Sequence, residues 1–180
     1  MEQEILEPNF DIFMYAGRWY EIARLPNPWE ISCIRSTADY YVDDRPLRKR
    51  EGLLPELDIV NTCWDGQGDI IEQRQARGWI PDPQESGAIV VEFTGSAFPK
   101  SEKGWYLVHE TDYLTYSVVG SPDRQYVWIL SRNPTICRNV FYQLLDFTEQ
   151  LGYDKNRIKY DEKALRKCHY EDMYNTDIPR

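Results

Sequence analysis

The sequence lacks any run of 18 apolar residues, the length that an α-helix needs to cross a bilayer. Histidine is scarce, with two residues in 180, and the four cysteines are spaced too widely for a zinc pattern. The net charge is −9, which argues against nucleic acid as the main partner and against simple adsorption to an anionic membrane. We therefore expect no metal site, no cofactor and no nucleic-acid partner.

The N-terminus is acidic and lacks the basic and apolar regions of a signal peptide. Two localisations stay open: a protein kept inside the cell, or a secreted or periplasmic protein whose leader has been removed. The length suits one domain, which we expect to span residues 1–180. Residues 1–14 are interpreted as a lead-in, and residues 161–180 as an irregular, charged tail.

Eight segments alternate apolar and polar residues between turn-forming residues, as strands with one buried face do. The segments are 17–24, 34–42, 57–64, 70–79, 87–94, 105–109, 114–119 and 126–132. Strands at this regular spacing with hairpin turns predict an all-β protein, either an up-and-down barrel or a sandwich.

The period changes after the eighth strand, and the apolar residues recur at helical spacing. They are Val140, Leu144, Phe147 and Leu151. This pattern predicts one amphipathic helix over residues 135–152, packed on the outside of the sheet, with Thr135 and Gly152 as its caps. Residues 158–160 are expected to add a short edge strand.

Three short motifs stand in the same order and spacing as in a known family. They are Gly17-Arg-Trp19 on the first strand, Thr111-Asp-Tyr113 at the turn between the sixth and seventh strands, and Arg132 at the end of the eighth. With the following helix, they make the chain resemble the lipocalins over nearly its whole length. Segments 17–24 and 121–135 are most similar to the bacterial outer-membrane lipocalins, apolipoprotein D and the plant temperature-induced lipocalins.

The resemblance implies a closed eight-stranded antiparallel barrel with the C-terminal α-helix outside, just wide enough to hold one small ligand. It also implies that Trp19 and Arg132 meet at the closed end, with the guanidinium over the indole. Gly17, Thr111, Asp112 and Tyr113 are structural residues in this interpretation. The loops 25–33, 43–56 and 95–104 are expected at the open end, and the long charged segment 43–56 departs from the family pattern.

The function implied is binding, transport or sequestration of a small hydrophobic ligand. The candidate classes are fatty acids, lysophospholipids, sterols, retinoids and bilins. Strand parity places Trp128 inside the barrel with Leu130 and Arg132. The expected cavity wall consists of Ala38, Tyr40, Ile89, Val91, Phe93, Tyr116, Val118 and Trp128. Each of these side chains is ordinary packing instead if the interior is filled.

Glu21 is the unusual residue of the first strand, because parity puts its carboxyl on the Trp19 face, inside the barrel. A buried carboxylate must find partners or take up a proton. We interpret Glu21 as hydrogen-bonded to a tyrosine or arginine within the barrel. The alternative is that Glu21 orients the polar head of a ligand.

The four cysteines allow three connectivities, and composition does not choose among them. The resemblance to apolipoprotein D implies a bridge between Cys33 and Cys168 in an oxidising compartment. It gives no partner for Cys63 or Cys137.

Two further function classes stay open. One is a lipid-modifying enzyme that uses the Cys63 thiol, although no His–carboxylate companion is evident. The other is an interaction protein whose pocket has collapsed. Peripheral membrane association and a monomeric or homodimeric state are also left open.

Overall fold

A one-turn helix and a left-handed glycine lead the chain into its first strand. The computed structural model describes residues 4–43, 55–94 and 103–168. Helix α1, Ile12–Tyr15, is capped by Asp11, whose carboxylate accepts hydrogen bonds from the backbone N–H groups of the first turn. At Gly17 φ is 100°, a conformation that favours glycine, and strand β1 starts there.

Antiparallel strands then follow in chain order, and each pairs with the next. In the described residues the long strands are β1 (Gly17–Arg24), β2 (Arg35–Asp43), β3 (Glu56–Trp64), β4 (Ile70–Trp79), β5 (Ala88–Thr94), β6 (Lys103–Thr111), β7 (Tyr116–Gly120) and β8 (Val127–Ser131). Strand β1 also pairs with β8, so the sheet closes on itself. The predicted eight-stranded barrel is confirmed, and the sandwich alternative is not.

The strand register decides which connections lie at each end of the barrel. Gly17, at the start of β1, pairs with Tyr40 near the end of β2, and Asp43 pairs with Glu56. The connection 44–54, which lies outside the described residues, therefore joins strands at the end where Gly17 lies. The expectation that segment 43–56 starts from the open end is wrong, because that end holds the connections after β1, β3, β5 and β7.

The predicted helix is present outside the barrel, with a later start. Helix α2 spans Arg138–Gln150, and Cys137 rather than Thr135 precedes it, without a side-chain cap. The start is later because strand β9, Ile136–Cys137, pairs in parallel with strand β11, Leu165–Arg166. Gly152, with φ of 90°, follows the last turn as expected.

The C-terminal part is more regular than the sequence indicated. Strand β10, Lys159–Tyr160, pairs with β1 and confirms the predicted edge strand. The tail expected to be irregular contains a 3₁₀ turn, Glu162–Ala164, and then β11. Residues 169–180 lie outside the described part of the chain.

Apolar side chains form one cluster inside the barrel and a second between the barrel wall and α2. The inner cluster is built around Trp19, which is fully buried, and includes Leu57 and Ile89. The outer cluster joins Phe141 of α2 to Val118 and Ile129 of the wall. Among residues 4–43, 55–94 and 103–168, no helix has the length and apolar character that crossing a membrane requires.

Candidate functional site: the barrel cavity

The closed end of the barrel is built by Trp19 and Arg132. The guanidinium carbon of Arg132 lies 3.7 Å from the centroid of the indole ring. Arg132 also donates hydrogen bonds to the backbone carbonyls of Tyr113, Arg18, Met14 and Tyr15, at 2.9–3.1 Å. The predicted meeting of the two side chains is thus what the structure shows.

The turn before β7 supports the same end. The carboxylate of Asp112 accepts hydrogen bonds from the backbone N–H groups of Leu114, Thr115 and Tyr116. The Thr111 hydroxyl donates to the Tyr116 carbonyl. These contacts order the turn at Tyr113, so its carbonyl is in place to accept from Arg132.

Beyond this plug the barrel holds a cavity of about 750 Å³. Several aromatic side chains line its wall, namely Trp29, Tyr40, Phe93, Trp105, Tyr106, Tyr126 and Trp128. This volume lies within the usual range of small-molecule pockets, roughly 300–1,000 Å³. The pocket is therefore open, and the hypothesis of an interaction protein with a collapsed pocket does not fit this structure.

Four of the residues expected in the cavity wall line it: Ala38, Tyr40, Phe93 and Trp128. Ile89 and Val91 also face the barrel interior. They pack in the apolar layer around Trp19, however, and do not line the cavity. The prediction had the correct face for these two residues and the wrong depth.

Tyr116 and Val118 are placed on the opposite face from the one expected. Val118 is fully buried in the outer cluster, and Tyr116 packs against that cluster. Their neighbours face inward instead: Ser117 hydrogen-bonds the Tyr15 hydroxyl at 3.0 Å, and Val119 lines the cavity. The sequence pattern failed because α2 covers the outside of β7, so the outward face is as apolar as the inward one.

The cysteine pairing differs from the expected one. Cys33 is bonded to Cys63, and Cys137 to Cys168. Strand register explains both bonds, because Ser36 pairs with Cys63 and thereby brings the end of the β1–β2 connection next to β3. In the same way Arg166 pairs with Cys137 and places Cys168 within reach.

The sequence reasoning missed several residues at the open end. Trp29 and Glu30 from the β1–β2 connection line the cavity, and so does the Cys33–Cys63 disulfide. The Trp29 and Tyr126 rings lie 4.8 Å apart, so the β1–β2 and β7–β8 connections, which are neighbours at the open end, touch there. The available signal was Trp29 itself, a large aromatic side chain directly after two prolines in a loop.

Glu21 lies in the cavity wall and is paired, as interpreted from the sequence. Arg24 donates a hydrogen bond to Glu21 and lies 3.9 Å from a carboxylate oxygen of Glu30. Glu30 also accepts from the indole N–H of Trp128 at 3.1 Å and from the side-chain amide of Asn27. Two carboxyl groups, one arginine and one indole thus form a network in the upper wall.

Burial and the neighbouring Glu30 hold the pKa of Glu21 well above its usual range. Burial also acts to raise the pKa of Glu30, but hydrogen bonds from Glu21, Trp128 and Asn27 outweigh it, and that pKa is lowered. Of the two carboxyl groups, Glu21 therefore holds a proton more readily and Glu30 more readily carries the negative charge. That charge lies opposite Arg24.

A closed antiparallel barrel with a plugged end, an open apolar cavity and an outer helix defines a small-molecule-binding protein of the calyx type. Residues 10–163 match the family model described as a Lipocalin-like domain. The chain belongs to the lipocalin family, whose members typically bind and transport small hydrophobic ligands.

Comparison with known proteins agrees with this assignment. The chain is 31% identical over 150 residues to outer membrane lipoprotein Blc of Escherichia coli K12, covering 83% of this chain and 77% of Blc. It is 26% identical over 167 residues to apolipoprotein D of Mus musculus, covering 88% and 80%. The structure of insecticyanin from the tobacco hornworm Manduca sexta superposes with a TM-score of 0.64 at 22% identity, covering 92% and 89%.

Proposed function

We propose that this lipocalin carries one small apolar molecule per chain in the cavity above Trp19, from the fatty acid, lysophospholipid, sterol, retinoid or bilin classes. The observation that carries the proposal is the open cavity of about 750 Å³ with its aromatic wall. Burying a ligand there removes apolar surface from water, which stabilises the complex by about 25 cal/mol per Å². Ala38, Tyr40, Phe93 and Trp128 are the proposed contact residues.

A direct test is native mass spectrometry of the protein purified without refolding, followed by organic extraction. The expected result is a 1:1 complex, or the uptake of one fluorescent apolar probe per chain with quenching of tryptophan emission. Quenching is expected because Trp128 and Trp29 line the cavity. If no apolar probe of any class binds, the carrier proposal is wrong.

We further propose a carrier rather than an enzyme. The alternative required a free thiol at Cys63, and this cysteine is bonded to Cys33. Treatment with iodoacetamide without a reductant tests the point. If the four cysteines stay unmodified and ligand affinity is unchanged, the result supports the carrier. Alkylation of Cys63 together with loss of a lipid-converting activity supports the enzyme.

We also propose that the protein loads its ligand at a lipid surface. Large apolar side chains are exposed beside the mouth, among them Ile31 and Ile34 in or next to the β1–β2 connection, Ile70 and Ile71 at the start of β4, and Trp105 on β6. A net charge of −9 favours an uncharged lipid surface over an anionic one. In sedimentation with phosphatidylcholine vesicles, the native chain is expected in the vesicle pellet. A variant with Ile31→Ser and Ile34→Ser is expected to stay in the supernatant.

A further inference from the structure

The upper wall of the cavity holds an acidic pair that the closed-end plug does not use. Glu21 comes from β1 and Glu30 from the connection that follows it, and both line the cavity. Asn27 fixes the position of Glu30, because its side-chain oxygen accepts hydrogen bonds from the backbone N–H groups of Trp29 and Glu30. The pair is thus part of a built wall and does not belong to a solvated surface.

A second feature of the same wall is an unused hydroxyl. Ser36 is 8% exposed and lines the cavity, and its Oγ has no hydrogen-bond partner among the described residues. Trp19 pairs with Ala38 and Tyr20 with Thr37, so the next residues along these two strands are Glu21 and Ser36. A buried hydroxyl without a partner costs free energy, and a polar ligand group in the cavity would satisfy it.

The charges around the pair leave little for an anion to bind. Arg74 is the only lysine or arginine among the described residues that line the cavity, and it is already paired with Glu72 at 2.6 Å. Arg24 is paired with Glu21 and Glu30. The other ionisable groups facing the cavity come from β2, β6 and the β7–β8 turn, and they are Tyr40, Tyr106, Asp123 and Tyr126.

We propose that Glu21, Glu30 and Ser36 form a head-group subsite that selects amphiphiles with a hydrogen-bond-donating head, an ammonium above all, over fatty-acid anions. This inference rests on the proposed carrier function and names its ligand class. An ammonium donates up to three hydrogen bonds and meets the Glu30 carboxylate and the Ser36 hydroxyl. A carboxylate head would meet like charge in a poorly hydrated site.

The test compares ligands with one chain and three heads. Decylamine, decanol and decanoate are titrated calorimetrically into the full chain at pH 7, below their aggregation concentrations. Decylamine is expected to bind about tenfold more tightly than decanoate, since one hydrogen bond to a charged group is worth about that factor, with decanol between them. Equal or tighter binding of decanoate overturns the subsite.

Two variants assign the effect to the pair. Glu30→Gln is expected to weaken decylamine binding about tenfold and to remove the discrimination against decanoate. The urea midpoint of Glu30→Gln, compared with that of the native chain, reports that the variant is folded. Glu149→Gln removes one negative charge from the outer helix, where Glu149 pairs with Lys155, and is expected to change neither ratio. If Glu149→Gln shifts the ratio as much as Glu30→Gln does, the selectivity is a net-charge effect and the subsite is wrong.

Proton release gives an independent readout. Burial and the neighbouring Glu30 raise the pKa of the Glu21 carboxyl in the free protein, and an adjacent ammonium favours its ionised form. Decylamine binding is therefore expected to release protons at pH 7, seen as a dependence of the binding enthalpy on buffer, which Glu21→Gln abolishes. An unchanged dependence in Glu21→Gln contradicts the role of Glu21. Failure of all three ligands to bind would instead refute the carrier function itself.

Discussion

Arg132 lies with its guanidinium carbon 3.7 Å from the ring centroid of Trp19, and the two residues are neighbours because β1, which carries Trp19, pairs with β8, which Arg132 directly follows. Replacing Arg132 by Ala leaves the partly buried Tyr113 carbonyl without this donor and removes one of two donors to the Tyr15 carbonyl, which keeps its bond from the Trp19 indole. We expect a loss of about 3 kcal/mol in the free energy of unfolding, with about 2 kcal/mol for Arg132→Lys, which keeps the charge but lacks the planar fork.

Urea denaturation followed by tryptophan emission measures both variants. Arg166→Ala, at an exposed position on β11, serves as the control and should shift the midpoint little. Equal stability of Arg132→Lys and the native chain would show that charge alone, without the hydrogen-bonded fork, holds the closed end.

The two disulfides should be separable by function. Each closes a loop of about 30 residues, so its removal by a double Cys→Ser exchange is expected to cost about 2–4 kcal/mol. Only the Cys33, Cys63 exchange should also weaken ligand binding, because that bond lines the cavity. Peptide mapping of the non-reduced protein checks the pairing directly, and a peptide linking Cys33 to Cys168 would contradict the structure.

Gly120 is in contact with an aromatic ring that leaves no room for a side chain. A Cβ at Gly120 would lie 2.0 Å from the Tyr153 hydroxyl, whereas one at Gly104 would meet nothing within 4 Å. We expect Gly120→Ala to lower the free energy of unfolding by about 1–3 kcal/mol through overpacking, and Gly104→Ala to be close to neutral. Thermal unfolding of the matched pair compares them, and equal midpoints would contradict the close approach of Tyr153.

Trp128 and Val118 test the inward and outward faces of the barrel wall. Trp128→Ala removes cavity surface and the hydrogen bond to Glu30, and is expected to weaken decanol binding about tenfold or more. Val118→Ala should lower stability by about 1–3 kcal/mol, because the side chain is fully buried under α2, and leave affinity unchanged. Calorimetry measures the decanol affinity of both variants, and urea unfolding measures their stability. A change in affinity for Val118→Ala would restore the orientation predicted from the sequence.

His109 is expected to make stability depend on pH. Burial lowers the pKa of His109, whose Nδ1 lies 2.6 Å from the Ile5 carbonyl and Nε2 2.9 Å from the Tyr153 hydroxyl. Since the folded pKa lies below the unfolded value of about 6.5, the unfolded chain binds the proton more tightly. The contribution of His109 is thus present above that value and is lost as the pH falls.

Urea midpoints of the native chain and of His109→Gln, measured from pH 8 to pH 5, test this dependence. The native chain should lose more stability than the variant over this interval. Parallel curves for the two proteins would show that other groups account for the acid sensitivity.

The sequence alone determined the strand count, the order of elements and the helix, because each depends on local periodicity. The contact of Trp19 with Arg132 was implied by the resemblance to the lipocalins and not by the residue pattern. The sequence also placed Ala38, Tyr40, Phe93 and Trp128 correctly. Tertiary structure decided the rest. Whether a face of β7 is inside depends on α2, which makes both faces apolar, and which cysteines meet depends on the strand register. The acidic pair of Glu21 and Glu30 likewise arises only when the β1–β2 connection folds over the mouth, since a period of two describes strands and does not describe the loops between them.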